Sequence, residues 1–248
     1  SSWVVNSAIL KSDTINASIN GEWKLLPAGS QSHFTLNASS EDVQGLFADL
    51  DYQQVIDAEN IDIRMDLTWA GSPIGFSRGK SIGQSSIDIG KGRLIDIEPG
   101  AAGRIFGLLS VTSIPRRLSL DFTDLFGKGF SFDAINGSFG IENGTAHTED
   151  LTMKGQPATI EVIGSVYLVE QTYDQKIKIT PNVSSSLPIA GAVAGGPVGL
   201  GVGTAILIFD KLAGQLFDKQ IVNLISYSYS LTGPWDEPEL NTINASTN

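Results

Sequence analysis

The chain contains no cysteine among its 248 residues, and it contains only two histidines and two methionines. The absence of cysteine excludes disulfides, thiolate nucleophiles and cysteine-ligated metals at once. Charged residues are also scarce, since they make up 17% of the chain against about 25% in an ordinary soluble domain. The hydrophobic fraction is 41%, which is enough for a sizeable core in one large all-β domain or two small ones.

The formal net charge of −11 bears on the expected partners. An acidic chain repels phosphate backbones, so nucleic acid is not an expected partner. The chain also gains nothing from attraction to an anionic lipid surface, so any membrane contact is expected to be apolar. The N-terminus lacks the basic segment and apolar run of a signal peptide. Because an initiating methionine is also absent, we interpret the chain as a fragment of a longer protein.

Apolar and polar residues alternate with a period of two along much of the chain. Between residues 58 and 69 the apolar positions fall on one face of an extended segment: Ile61, Ile63, Met65, Leu67 and Trp69. Successive side chains of a strand point to opposite sides of a sheet, so this segment is predicted to be an amphipathic strand. The pattern recurs to residue 231 and predicts an all-β-dominated fold with a few short α-helices.

Glycine-containing turns are predicted between these strands. They lie at Asn20-Gly21, Gly90-Lys91-Gly92, Asn136-Gly137, Asn143-Gly144 and Lys154-Gly155. The Asn-Gly pair supplies the positive φ angles that tight hairpins need. The expected arrangement is therefore an antiparallel meander.

Three segments depart from the strand pattern. Residues 40–50 are predicted to be helical, with Ser40 as the cap, and residues 101–109 and 208–224 are further helix candidates. An apolar stretch precedes residue 208, but Gly195-Gly196-Pro197 interrupts it. Glycine costs about 1 kcal/mol and proline about 3 kcal/mol in a helix interior, so a membrane-spanning helix is disfavoured. Two short apolar helices are expected, packed on the sheet or lying against a membrane surface.

Few side chains suit catalysis or metal binding. His33 and His147 lie far apart in sequence and without a Gly-x-Ser-x-Gly motif, so both are interpreted as surface residues. Two carboxylate pairs are interpreted as solubilising charges rather than as the acid and base of a glycoside hydrolase. These pairs are Asp62 with Asp66 and Glu149 with Asp150. We therefore expect no enzymatic activity, no metal site and no cofactor.

A series of motifs occurs in the order found in a known family. The motifs lie at residues 66–73 (DLTWAGSP), 92–100 (GRLIDIEPG), 107–110 (GLLS), 114–122 (IPRRLSLDF), 124–130 (DLFGKGF), 141–144 (IENG), 164–168 (GSVYL), 173–175 (YDQ), 186–191 (SLPIAG) and 229–238 (YSLTGPWDEP). Together they resemble the C-terminal region of AsmA-like proteins, most closely the YhdP branch of Gram-negative bacteria. The resemblance is strong over residues 86–238 and looser before them, and it rests on the order and density of the motifs.

The resemblance implies both a fold and a function. It implies an elongated antiparallel sheet curled into an open hydrophobic groove, or an incomplete barrel or sandwich. The parent protein would be periplasmic, anchored in the inner membrane by one N-terminal helix, and would conduct phospholipid between the inner and outer membranes and support outer-membrane barrier integrity. The implied partners are phospholipid acyl chains, the inner leaflet of the outer membrane and the rest of the parent chain.

On this interpretation residues 1–240 form one β-groove domain with a helical, apolar insertion at residues 187–224, and residues 241–248 form a tail. The predicted groove residues are alternate apolar strand positions: Ile61, Ile63, Met65, Leu67, Trp69, Ile87, Ile89, Leu118, Leu120, Phe122, Ile160, Val162, Ile177 and Ile179. The insertion is predicted to close the groove end or to contact the membrane through Val198, Leu200, Ile206, Leu207, Leu212 and Leu216. Burial of one acyl methylene contributes about 0.8 kcal/mol, so lipid binding needs no polar motif.

Two alternatives remain open at this point. The same alternation fits a closed β-sandwich that acts as a structural or protein-interaction module, because a second sheet could cover the apolar face. A glycosidase on a jelly roll would need convergent carboxylates in a cleft, whereas the polar residues here are dispersed along the chain.

Overall fold

The computed structural model describes residues 1–50, 56–95, 130–156, 158–182 and 226–243. Within these ranges the chain forms β-strands of a single sheet, one α-helix and two 3-10 turns. The elements are β1 (Ser2–Lys11), β2 (Asn16–Leu26), β3 (Gly29–Ser40), α1 (Val43–Asp49), β4 (Ile56–Ala58), β5 (Ile61–Ala70), the 3-10 turns Pro73–Gly75 and Arg78–Lys80, β6 (Ser81–Ile89), β7 (Gly92–Leu94), β8 (Phe130–Glu142), β9 (Thr145–Gly155), β10 (Ala158–Tyr167), β11 (Thr172–Pro181), β12 (Tyr227–Pro234) and β13 (Glu239–Thr242).

The strands lie side by side in nearly the order of the sequence. The sheet runs β1-β2-β3-β5-β6-β8-β9-β10-β11-β12-β13, and every neighbouring pair is antiparallel. The short strands β4 and β7 pair with each other, and β7 also pairs with β8. With strands about 4.8 Å apart, the sheet is roughly 48 Å wide. The predicted elongated antiparallel sheet is confirmed, and in the described ranges it is one open sheet rather than the two sheets of a sandwich.

The predicted turn at Asn143-Gly144 is confirmed as a tight hairpin. Asn143 has φ 49° and Gly144 has φ 84°, and the flanking residues Glu142 and Thr145 pair across β8 and β9. Two central residues with positive φ are typical of the type I′ turn, whose twist matches that of the flanking strands. The predicted turn at Lys154-Gly155 coincides with the end of β9.

Two of the other predicted turns are wrong, because Asn20-Gly21 lies inside β2 and Asn136-Gly137 lies inside β8. The glycines serve close packing there instead. A Cβ atom on Gly21 would lie 2.2 Å from the carbonyl oxygen of His33 on the neighbouring strand. A Cβ atom on Gly137 would lie 2.8 Å from a methyl carbon of Leu151. Gly90-Lys91-Gly92 interrupts the pairing between β6 and β7 and makes no hairpin there.

The predicted helix at residues 40–50 is confirmed as α1, but its cap differs from the prediction. Asp42 is the N-cap, since its Oδ1 atom accepts a hydrogen bond of 2.9 Å from the Gly45 N–H. The Ser40 hydroxyl instead accepts a hydrogen bond of 3.1 Å from the Asp42 N–H. Either residue type satisfies a helix N-terminus, so the sequence left the register of the cap undecided by two residues.

Apolar residues of α1 join a cluster that runs through the sheet. Val43, Leu46 and Phe47 are buried and belong to the same cluster as Ile56. The cluster continues through β8, β9, β10, β11 and β12, where its members include Ile135, Met153, Ile160, Val162, Ile177, Ile179 and Leu231. The core therefore follows one face of the sheet.

Candidate functional site

Strand register places the predicted groove residues of the described ranges on one face of the sheet. Across β5 and β6, Ile61 pairs with Ile89 and Ile63 pairs with Ile87. Across β10 and β11, Ile160 pairs with Ile179 and Val162 pairs with Ile177. Directly paired residues of an antiparallel sheet point to the same side. These residues, together with Met65, Leu67 and Trp69 of β5, therefore form a single apolar face.

The apolar face has two sections that differ in exposure. In the buried section, formed by β8 to β12, Ile160 and Ile179 are fully buried, and Val162 and Ile177 are 1% exposed. In the open section, formed by β1, β2, β3, β5 and β6, the residues Ile63, Met65, Leu67 and Ile87 are each partly exposed. The predicted groove set therefore divides into a dry part and an accessible part.

Small residues account for the shallow floor of the open section. Ile63 is paired with Ala38, Met65 with Ser85 and Leu67 with Gly83. These partners leave space above the backbone where the buried section carries large side chains such as Phe130 and Phe139. We call the accessible strip of Leu36, Ala38, Ile63, Met65 and Leu67 the open floor.

The dimensions of the open section suit one acyl chain. Five adjacent strands with a spacing of about 4.8 Å cover roughly 19 Å. One acyl chain occupies about half of the 30 Å hydrocarbon thickness of a bilayer, which is roughly 15 Å. The outermost strand, β1, is exposed along its length, so the apolar strip stays accessible up to that edge of the sheet.

Aromatic side chains close one end of the open floor. Trp69 is 7% exposed, and its ring stacks on Phe34 with centroids 5.6 Å apart. Phe76 meets the same indole edge-on at 5.2 Å, and Trp69 Nε1 donates a hydrogen bond of 2.9 Å to the Ser72 carbonyl oxygen. Trp69 thus has its polar atom satisfied and its ring packed, which fixes it as a wall of the site.

The other end of the open floor is closed by aliphatic residues and α1. Ile61 and Ile89 are buried at this end. The Thr14 hydroxyl, in the turn between β1 and β2, donates a hydrogen bond of 2.6 Å to Asp49 Oδ2 at the C-terminal end of α1. This bond joins the turn to the helix, so the open floor lies between two fixed ends.

The opposite face of the same strands is polar and internally hydrogen-bonded. Arg64 Nε donates to Asn37 Oδ1 at 2.9 Å, and the Thr35 hydroxyl donates to Asp66 Oδ2 at 2.8 Å. His33 Nε2 lies 3.0 Å from Asp66 Oδ1. The hydrogen bond from His33, aided by that from Thr35, lowers the pKa of Asp66 below its ordinary value of 3.8, so Asp66 is an anion at neutral pH.

A cleft of about 360 Å³ lies on this polar face. Two rows of polar side chains line it, and they include Asp62, Asp88, Arg64 and Asn37. Asn136 Nδ2 donates a hydrogen bond of 2.6 Å to Asp88. The cleft is lined by charged and amide groups, so it does not provide an apolar binding surface, and the open floor on the other face is the better candidate for an apolar ligand.

The carboxylate pairs named in the sequence do not have the geometry of a glycosidase site. Asp62 and Asp66 are four positions apart on one strand, which is roughly 13 Å at about 3.3 Å per residue; the two carboxyls of a glycosidase lie about 5 to 9.5 Å apart. In the second pair, burial raises the pKa of Asp150, but hydrogen bonds from the Ser138 hydroxyl and N–H and from Thr148 outweigh it, so the pKa is lowered. A catalytic acid requires the opposite shift.

Both histidines lie on the exposed polar surface. The side chains of His33 and His147 are 44% and 51% exposed. His147 Nδ1 lies 3.0 Å from the Ser165 hydroxyl, and its Nε2 lies 3.8 Å from Glu149. No group of three or more His, Asp or Glu residues suited to holding a metal ion occurs in the described ranges.

Several predicted site residues lie outside the described residues. They are the groove residues Leu118, Leu120 and Phe122 and the membrane-contact residues Val198, Leu200, Ile206, Leu207, Leu212 and Leu216. Among the residues that are described, no helix combines the length and the apolarity needed to cross a membrane.

The sequence interpretation omitted some residues of the open floor. Phe34, Leu36 and Ala38 of β3 face the same side as Leu67, Met65 and Ile63. The signal was present, because these residues alternate with His33, Thr35 and Asn37 at period two. Polar and small neighbours made the run weaker in hydrophobicity than β5, which hid its apolar face.

Comparison with known proteins adds an independent finding. A family profile described as YhdP protein matches residues 1–240 of the chain. The intermembrane phospholipid transporter YhdP of Escherichia coli (strain K12) is 30% identical over 224 residues. The match covers 90% of this chain and 17% of that protein, so the chain spans about a sixth of its relative's length. No solved structure matches the chain.

Proposed function

Because this chain belongs to the YhdP protein family, we propose that its open section binds phospholipid acyl chains as part of a path for phospholipid between the inner and outer membranes. The observation that carries the proposal is the apolar face of β2, β3, β5 and β6, which remains partly exposed although its residues are of the type that forms the core elsewhere in the sheet.

Apolar burial is the proposed source of affinity. An acyl chain on the open floor would remove its own methylenes and the side chains of Leu36, Ile63 and Met65 from water. Each methylene contributes about 0.8 kcal/mol when it is fully buried. A chain lying across several strands would therefore be held without a directional polar contact.

The same lack of polar contacts suits movement of the lipid. The open floor of Leu36, Ala38, Ile63, Met65 and Leu67 presents hydrocarbon to the ligand, and the charges of these strands lie on the opposite face, as Arg64 and Asp66 do. Since the hydrophobic effect is non-directional and follows the area buried, neighbouring positions of an acyl chain on such a floor differ little in free energy. The protein would then conduct lipid by diffusion along the strip.

The surroundings of the site follow from the family. We propose that the chain works in the periplasm, as one section of a longer protein that is anchored in the inner membrane, and that it supports outer-membrane barrier integrity without enzymatic chemistry. The rest of the parent chain would continue the sheet at β1, which pairs with β2 and with no other described strand. The partner at the far end of the path would be the inner leaflet of the outer membrane.

The proposal is tested by native mass spectrometry and lipid extraction of the purified 248-residue chain. Wild-type protein is expected to carry phospholipid, and Ile63→Asp is expected to lose it while the circular dichroism spectrum is unchanged. The physical reason is that a carboxylate on the open floor must be desolvated by an acyl chain, whereas without lipid it remains in contact with water.

The matched control is Ile163→Asp. Ile163 is a strand isoleucine that is 46% exposed, but it points to the polar face, between the apolar positions Val162 and Gly164. This variant should retain phospholipid like the wild type. Equal lipid content in all three proteins, or a lipid-free wild type, would contradict the proposal.

A further inference from the structure

Exposed apolar residues are concentrated at one end of the open section. The turn between β2 and β3 carries Leu25 and Leu26, which are 46% and 47% exposed. The connection between β5 and β6 carries Ile74, which is 98% exposed, and Phe76, which is 49% exposed. The two loops are neighbours, because the Gly71 N–H donates a hydrogen bond of 2.7 Å to the Ser30 carbonyl oxygen. We call residues 24–31 and 71–80 the loop tips.

The loop tips carry positive charge only, in a chain that is strongly acidic. Lys24, Arg78 and Lys80 lie in these segments, which contain no Asp or Glu, whereas the whole chain has 27 acidic and 16 basic residues. Lys24 is paired with Glu22 on the adjoining strand. Arg78 and Lys80 form no ion pair with any residue of the described ranges. The free cations therefore accompany the exposed apolar residues.

A row of tryptophans lies directly behind the loop tips. Trp3 of β1 pairs with Trp23 of β2, Trp23 pairs with Ser32 of β3, and Ser32 pairs with Trp69 of β5. Trp3 is 69% exposed. Leu25 is two residues beyond Trp23, which is roughly 7 Å along the strand. The order from the tip inward is thus aliphatic side chains and then indole rings.

This order matches the layers of a membrane surface. Apolar elements of peripheral proteins enter a bilayer by about 5 to 10 Å. Tryptophan concentrates at the headgroup level, where its ring is half in contact with hydrocarbon and its N–H with polar groups. Lysine and arginine side chains reach back to the phosphates.

We propose that the loop tips dock onto a lipid bilayer surface, with Leu26 and Ile74 inserted, the tryptophan row at the headgroups and Arg78 and Lys80 against lipid phosphates. The connection between β5 and β6 is well placed for this contact. It rests on the turn between β10 and β11, since a Cβ atom on Gly79 would lie 3.2 Å from Val169 Cγ2. The docking surface is separate from the open floor and does not depend on lipid binding there.

The test is flotation of the 248-residue chain with phosphatidylcholine vesicles, prepared with and without phosphatidylglycerol. The variant Leu26→Ser/Ile74→Ser should lower the partition coefficient by about tenfold or more, because each substitution removes an inserted aliphatic side chain. The variant Arg78→Ser/Lys80→Ser should bind neutral vesicles like the wild type and lose only the added binding to phosphatidylglycerol, an electrostatic gain that salt also removes.

The matched control is Ile9→Ser/Leu50→Ser. These residues are 76% and 54% exposed but lie toward the opposite end of the strands, and their loss should leave flotation unchanged. A second readout uses the absence of cysteine from the chain. An environment-sensitive fluorophore on Ile74→Cys should shift to the blue on vesicle addition, and the same label on Leu50→Cys should not.

Three results would overturn the docking proposal. The wild type would fail to float, the loop-tip variant would float as well as the control, or the wild type would form a dimer that Leu26→Ser/Ile74→Ser dissociates without any vesicle binding. The last result would assign the surface to a second copy of the chain. Native mass spectrometry reports lipid on the open floor separately, so failure of the proposed function and failure of docking are distinguishable.

Discussion

The open and buried sections of the apolar face are built from similar residues in similar register, but their side chains have different surroundings. Ile63 pairs with Ile87 in the open section, and Ile160 pairs with Ile179 in the buried section. The first pair is partly exposed, whereas the second is fully buried. Residue type and alternation therefore define an apolar face, and the packing around that face decides whether it forms a core or leaves a surface for a ligand.

The residues beside each pair explain part of this difference. In the open section the neighbours are small, such as Ala38, Gly83 and Ser85. In the buried section the face carries Phe139, Tyr173 and Tyr229. Large aromatic side chains bury 150–250 Å² each and dominate the energetics of a core. The two sections are thus expected to differ in how much each apolar side chain contributes to folding.

The largest expected effect comes from the same substitution in each section. Ile179→Ala should lower the free energy of unfolding by about 3 kcal/mol, because it opens a cavity in a close-packed region. Ile63→Ala should lower it by about 1 kcal/mol or less, because its side chain is already partly in water. Urea unfolding curves of both variants measure the difference. Equal losses would show that the open floor is packed like the core.

A smaller effect is expected at the helix that closes one end of the open floor. Asp42→Ala removes the acceptor for the Gly45 N–H and should cost about 1 kcal/mol of stability. Because Val43 and Phe47 belong to the continuous core cluster, the loss should appear in the same cooperative unfolding transition. The neighbouring carboxylate Glu41 is the control, and Glu41→Ala should have a smaller effect. A separate early transition in Asp42→Ala would show that the open section unfolds independently.

The smallest effect concerns acid stability, with one carboxylate from each section. The pKa of Asp66 is lowered chiefly by the hydrogen bond from His33. The pKa of Asp150 is raised by burial but lowered further by hydrogen bonds from Ser138 and Thr148. A carboxyl with a lowered folded-state pKa stabilises the fold above its ordinary pKa of 3.8, and this contribution is lost as the pH falls below 3.8 through the folded value.

We therefore expect Asp66→Asn and Asp150→Asn to flatten the loss of stability below pH 3.8, by less than about 1 kcal/mol each, because both groups are largely in contact with solvent. Urea midpoints measured from neutral pH down to acid pH provide the test. Unchanged acid profiles in both variants would contradict the hydrogen-bond assignments. A change in one variant alone would locate the acid-sensitive contact in one section.

The sequence was sufficient to predict the strands and the facing of their side chains. Ile61, Ile63 and Met65 share a face because side chains alternate along a strand, and this rule depends only on local geometry. The exposure of these residues was not predictable, because it depends on side chains brought together from distant parts of the chain. Ile63 and Ile177 look alike in sequence and differ only in the folded protein.

Glycine shows the same limit of local reasoning. Asn143-Gly144 and Asn136-Gly137 carry the same dipeptide, and only the first is a turn. Gly137 instead makes room for Leu151, which is a property of the partner strand. Local propensity therefore predicted elements, whereas close approach between strands decided the role of each glycine.

The central claim is that a phospholipid acyl chain lies on the open floor and not elsewhere on the sheet. Photo-crosslinking of the 248-residue chain with a phospholipid that carries a diazirine in its acyl chain, followed by peptide mass spectrometry, tests this claim most directly. The account predicts adducts on Leu36, Ile63, Met65 and Leu67. Adducts confined to the polar face, at Arg64 or Thr68, or the absence of any specific adduct, would contradict it.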